Sequence, residues 1–163
     1  MAIINSKDFS KIRKQYQGKK IVYCSGTFDL THVGHALFFE DCKRFGDILV
    51  VAVGKDHTIR KIKGKFRPVL NHHIRAKMVD SLKPVDYSFL SGFVTSHLLG
   101  HLKIVFENLK PDVYVVNNDA FDLDFRRKIS KKYGVRLVIL KRSCPPEFEK
   151  ISTTKIIEKI KKF

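Results

Sequence analysis

The chain has 163 residues, 44% of them hydrophobic and 29% charged, a composition that excludes a disordered chain and suits one hydrophobic core, expected as a single domain over 1–163. Lys and Arg number 32 against 16 Asp and Glu, a formal net charge of +16, so a positive potential surrounds the chain and its partners should be phosphate-rich anions. Apolar runs such as 48–53 are too short to cross a bilayer, and the opening Met1-Ala2-Ile3-Ile4-Asn5 has neither the basic leader nor the apolar core of a signal peptide, so a cytoplasmic location is expected.

Taken in order, residues 1–18 read as an N-terminal helical extension, with the helical pattern over 6–16. Strands are predicted over 20–24, 47–53, 86–90, 112–116 and 136–140. Between them lie amphipathic stretches over 34–45, 73–82, 96–109 and 122–133, and a last helix is predicted over 153–162 within a C-terminal segment 152–163. The turns agree: Gly46-Asp47, Lys83-Pro84-Val85-Asp86, Lys110-Pro111-Asp112 and Tyr133-Gly134 each separate a helix from the next strand. Alternation of this kind predicts an α/β fold, a five-stranded parallel sheet with helices on both faces. Two loops stand out. One is 60–71, carrying Arg60, Lys61, Lys63, Lys65 and Arg67 and able to fold over a triphosphate; the other is the proline-broken stretch Cys144-Pro145-Pro146-Glu147-Phe148-Glu149.

Directly after the apolar run Ile21-Val22-Tyr23-Cys24 stands Ser25-Gly26-Thr27-Phe28-Asp29-Leu30-Thr31-His32-Val33-Gly34-His35. A strand, then Gly26-Thr27, then a helix start puts backbone N–H groups and a positive helix end at the carboxyl edge of the sheet, where anions bind. His32 and His35, three apart at the helix entry, can face one crevice and donate to the oxygens of a phosphorus under attack. Gly34 between them permits close approach at the turn. Asp29 would repel phosphates, so its carboxylate is read as holding the turn by accepting backbone hydrogen bonds. A second hydroxyl-rich helix start, Ile151-Ser152-Thr153-Thr154-Lys155, offers Ser152 or Thr153 as N-cap and the same exposed amides as an anion site.

These two motifs resemble the signatures of the cytidylyltransferase-like nucleotidyltransferases, and the resemblance runs from about residue 19 to 162. It implies a Rossmann-like domain that moves a nucleoside monophosphate from an NTP (CTP or ATP) onto the phosphate of a small phosphorylated acceptor, with Mg²⁺ accompanying the triphosphate and release of pyrophosphate. It implies phosphate-contacting roles for Thr27, the Phe28 backbone, His32, His35, Lys63, Arg75, Ser152 and Thr153, with Gly26, Gly34 and Thr154 completing the nucleotide cradle. Arg142 stands where the family often has an arginine before its Ser-Thr run, across an inserted stretch 143–150. Where the family commonly shows a glycine-containing segment, this chain has Asn117-Asn118-Asp119: Asp119 carries over as nucleotide-binding, and Asn117 and Asn118 are assigned with Asp29 and Arg75 to substrate recognition. Gly-Thr-Phe-Asp-Leu and Ile-Ser-Thr-Thr-Lys-Ile look most like glycerol-3-phosphate cytidylyltransferases; Gly18-Lys19-Lys20, Lys63-Gly64 and Lys110-Pro111-Asp112 look more like heptose-phosphate adenylyltransferases, and FAD synthetases of archaeal type share the signature. A homodimer is what the family suggests.

The reading of another class is a basic nucleotide- or nucleic-acid-binding module without chemistry. The aromatics argue against nucleic acid: Phe38, Phe39, Phe106 and Phe121 read as core positions rather than a stacking platform among the basic residues. Cys24, Cys42 and Cys144 form neither a disulfide framework nor a zinc pattern. His97 and His101 have the i, i+4 spacing of a metal pair with no third ligand nearby, and His57, His72 and His73 read as caps or neighbours of the phosphate loop. No residue is assigned to a metal. The tail helix, with Ile156, Ile157 and Ile160 against Lys155, Lys159, Lys161 and Lys162, reads as a helix packed on the sheet.

Overall fold

The computed structural model describes residues 2–92, 98–142 and 144–163. Its sheet is parallel throughout, with β1 (Ala2–Ile3), β2 (Ile21–Gly26), β3 (Ile48–Gly54), β4 (Tyr87–Ser91), β5 (Val113–Asn117) and β6 (Arg136–Leu140) in the order β1-β4-β3-β2-β5-β6. The five expected strands are present; the sixth, β1, is two residues at the edge that pair with Tyr87 and Ser88. A two-residue strand has no period to detect, so only its docking beside β4 reveals it.

Alternate residues of the central strands feed two cores. Tyr23, Val50, Ala52, Phe89, Tyr114 and Val116 face α1 (Phe9–Gln15), α5 (His101–Asn108) and α6 (Leu123–Tyr133) on one side. Val22, Cys24, Leu49, Val51, Val53, Val113 and Val115 face α2 (Val33–Lys43) and α4 (His72–Asp80) on the other. Both faces are covered, which is why the strands read as continuous apolar runs. The aspartates of the three turns close the lower edge: Asp47 accepts from Lys20 N at 2.8 Å, Asp86 from Leu49 N and Asp112 from Ile21 N, each at 2.7 Å.

Two boundaries differ from expectation and one start agrees with it. The stretch 60–71 is not all loop, because α3 (Asp56–Lys63) takes in Arg60, Lys61 and Lys63 and ends at Gly64, whose φ of +91° a side chain would resist. Its apolar stripe is only Ile59 and Ile62, too thin to register as a helical period. The helix expected over 96–109 begins at His101, and Ser96 and His97 lie outside the described residues, as do Met1 and Ser143. Finally, α7 (Thr153–Ile160) starts where the hydroxyl-rich motif places it, with Ser152 Oγ accepting from Lys155 N at 3.2 Å.

No helix among the described residues is long and apolar enough to cross a membrane. The order β3-β2-β5 makes β2 the point where the chain switches direction across the sheet, and ligands of such sheets bind outside the strand carboxyl ends there. That is where Ser25-Gly26-Thr27 lies.

Candidate active site

The turn after β2 is a strained one. Phe28 and Leu30 have φ of +50° and +45°, a conformation that residues with a Cβ seldom adopt. Packing holds it: the buried Phe28 ring lies 4.8 Å from Phe39 and 5.4 Å, edge-on, from His35. A Cβ on Gly26 would come within 2.7 Å of that ring, so glycine is needed there for contact rather than for φ.

His32 is the extended N-cap of α2 and His35 its third residue. Their rings stack at 3.9 Å with 23° between planes. His32 N donates to His35 Nδ1 over a long 3.4 Å, so the neutral His35 ring carries its proton on Nε2 and can donate from there. Burial, then the His32, Arg142 and Lys63 charges, lowers His35 to about 3; burial and Arg142 lower His32 as well. Both rings are therefore neutral donors at pH 7, which a stacked pair under a positive potential must be. Gly34 serves this pair directly, since a Cβ there would approach His32 Nδ1 and Cε1 to 3.1 Å.

Asp29, 1% exposed, holds not its own turn but the neighbouring loop. Its carboxylate accepts from Val69 N at 2.8 Å and Leu70 N at 3.0 Å and lies 3.5 Å from Arg67 Nε. Its carbonyl accepts from Thr153 Oγ1 at 2.8 Å, so one residue ties the histidine loop, the basic loop and α7 together. Arg75 requires a correction. Expected at the substrate, it is wholly buried, donating to Leu70 O, Thr27 O, Gly54 O and Asp56, and it does not line the cavities. It braces the ends of β2 and β3 from beneath.

Above those ends opens a cavity of about 500 Å³, within the range of small-molecule sites. Gly26, Thr27, Phe28, Asp29, His32, Gly34, His35, Lys63, Asn117, Asp119, Arg142, Ser152, Thr153 and Thr154 all line it. A second, of about 710 Å³, shares Gly34, Lys63, Asn117, Asp119, Arg142, Ser152 and Thr154 and adds Asn118, Cys144, Phe148, Glu149, Lys150, Ile151 and Lys155. Arg142 Nη2 donates to Asp119 at 2.6 Å, so the arginine across the inserted stretch does reach the sheet edge. Partial desolvation, with Arg67 and Arg142 beside it, lowers Lys63, a sign that cations crowd here without enough carboxylate to balance them. Among the described residues no three His, Cys, Asp or Glu side chains converge as a metal cage.

Two wall residues lie outside the phosphate-binding motifs. Arg126, 6% exposed, lies on α6, and His101, 8% exposed, opens α5; both face the first cavity. A lone arginine on an amphipathic helix reads as a surface residue, and nothing in the local pattern marks it otherwise. The remaining histidines stand apart: His72 pairs with Asp56 at 2.9 Å and His57 is exposed, while the His97 half of the spaced pair lies outside the described residues.

The chain matches the profile of the cytidylyltransferase-like family over residues 23–159. It is 34% identical over 146 residues to an FAD synthase from Ferroglobus placidus, covering 87% of this chain and 88% of that one. It is also 34% identical over 146 residues to the bifunctional protein HldE from Desulfatibacillum aliphaticivorans, covering 89% of this chain but only 28% of the relative's length. Among solved structures, the lipopolysaccharide core biosynthesis protein from Thermoplasma volcanium superposes with a TM-score of 0.62 at 30% identity, over 77% of this chain and 98% of that one. A strand-turn-helix presenting two neutral histidines to a cation-lined cavity, together with these matches, makes this chain a nucleotidyltransferase of the cytidylyltransferase-like family.

Proposed function

We propose that the chain transfers a nucleoside monophosphate from an NTP to the phosphate of a small phosphorylated molecule and releases pyrophosphate. The observation that carries this reading is the stacked His32–His35 pair, neutral and aimed into a cavity whose other walls are Lys63, Arg142 and the start of α7. An oxygen of the acceptor phosphate attacks the α-phosphorus in line. The new P–O bond forms as the bond to the bridging oxygen breaks, and pyrophosphate leaves with the electron pair. A phosphomonoester is largely dianionic at pH 7, so no general base is required. His32 and His35 donate to the non-bridging oxygens, where charge shifts in the transition state. Lys63, Arg142 and the amides and hydroxyls of Ser152, Thr153 and Thr154 hold the β- and γ-phosphates, and Asn117, Asn118 and Asp119 offer polar groups to ribose and base. Mg²⁺ fits as the counter-ion of the triphosphate rather than on a cage of carboxylates, and no step here runs through a protein–metal bond.

AMP is the nucleotide favoured, because FAD, the product in the name of the relative matched along nearly its full length, is an adenine dinucleotide. CMP is the second reading, and its support is the Ile151-Ser152-Thr153-Thr154 run that resembles the glycerol-phosphate enzymes. Pyrophosphate release from ATP and CTP, each paired with glycerol 3-phosphate, heptose phosphates and FMN, separates the two. His32→Ala and His35→Ala are each expected to lower kcat by roughly 10²–10³-fold with the fold intact. Near-normal release from either variant at saturating substrates overturns the reading.

A further inference from the structure

The first cavity has an end it shares with the second, where Lys63, Arg142 and Ser152 stand, and an end it does not, where Ser25, Ser91, His101 and Arg126 stand. Arg126 at that unshared end is buried, and none of the described residues sets a carboxylate within ion-pair distance of it. Its Nε donates to Phe121 O at 2.8 Å; Nη1 reaches Tyr114 Oη and lies 3.5 Å from Ser25 Oγ. A neutral phenol and a hydroxyl orient the guanidinium but do not neutralise it. Leaving a buried cation uncompensated is costly, and a fold gains nothing from it unless an anion arrives. His101 adds an independent sign: it is more than nine-tenths buried, lines the same end, and its Nε2 finds no hydrogen-bond partner among the described residues. Buried polar groups are rarely left so.

We propose that this unshared end is the acceptor subsite, where Arg126 receives the phosphate of a small phosphomonoester and His101 Nε2 hydrogen-bonds a polar group of the same molecule. The assignment rests on the nucleotidyl-transfer reading and adds its geometry. In-line displacement needs nucleophile and leaving group on opposite sides of the α-phosphorus. With Lys63 and Arg142 on the shared side for the departing pyrophosphate, Arg126 approaches from α6, across the sheet edge from α2. Burial lowers Arg126 to about 10, so it stays charged at pH 7, while burial lowers His101 to about 3 and keeps it neutral.

The test is nuclear magnetic resonance on the full chain. The triphosphate cradle is first saturated with an α,β-methylene nucleotide, ATP and CTP forms in turn, which cannot transfer; glycerol 3-phosphate, FMN or inorganic phosphate is then titrated. The Arg126 Nε–H and His101 ring signals are expected to shift with at least one phosphomonoester. Shifts confined to Lys63 and Arg142, or none at these two residues, overturn the subsite. Arg126→Gln is expected to raise the acceptor KM about tenfold or more and leave the NTP KM within about twofold, with Arg126→Lys between, as for loss of a hydrogen-bonded charge. An equal rise in both KM values overturns it too. The wild-type titration does not depend on a buried variant folding, nor on turnover: absence of pyrophosphate release with every pair sinks the transfer reading, whereas absence of the shifts sinks the subsite.

Discussion

Gly34 shows how much a single atom decides in this site. Its missing Cβ leaves His32 room to stack on His35, and an added methyl would press on His32 at 3.1 Å. Gly34→Ala is expected to lower kcat more than it raises the NTP KM while changing the melting temperature little; unchanged kcat would show that the ring has another place to go. The glycine's presence was legible in the sequence, but its reason was not: close approach to the turn was expected, and the neighbour proves to be the histidine's own ring. The buried histidines also give the protein an acid sensitivity whose sign is fixed. His35 and His101 are neutral in the fold down to about 3 but protonate near 6.5 when unfolded. Between those values the unfolded chain binds more protons, so stability is full above about 6.5 and falls as pH falls through the window. His35→Asn and His101→Asn should each flatten the decline of melting temperature on acidification; a slope equal to that of the parent protein would count against burial as its cause.

At the scale of elements, the site is assembled by Asp29, at the cavity wall, and by Arg75, buried outside the cavities. Asp29 joins the turn after β2 to the loop after α3 and to the start of α7. Asp29→Ala leaves Val69 N–H and Leu70 N–H without their acceptor and Arg67 without its ion-pair partner, and is expected to cost about 3 kcal/mol in denaturant unfolding. Faster tryptic cleavage after Lys65 should accompany it, and a stable, uncut loop would show that other contacts hold it. Strands 20–24, 47–53 and 112–116 were legible within one or two residues because buried parallel strands are unbroken apolar runs. The helix α3 was not, because its stripe is two isoleucines and its stability comes from docking.

Across the whole molecule, a formal charge of +16 surrounds a site built to hold anions. Screening should weaken it: the affinity for an α,β-methylene nucleotide is expected to fall steadily with added salt, followed by calorimetry, and an affinity independent of ionic strength would confine binding to short-range contacts. The same charge offered no map, since most lysines lie on solvated surfaces and the decisive cation, Arg126, is hidden inside. By itself the sequence determined the alternation of strands and helices, the two phosphate-binding helix starts and the spacing of His32 and His35, because these are local patterns: unbroken apolar runs, a 3.6-residue period and a spacing of three residues. Only the tertiary structure decided the partner of Asp29, 40 residues away at Val69 and 124 away at Thr153, the burial of Arg75, and the approach of Arg126 to Ser25 across 101 residues. Such contacts leave no local period, because the sheet brings distant strand ends together at one edge and only that edge makes them neighbours.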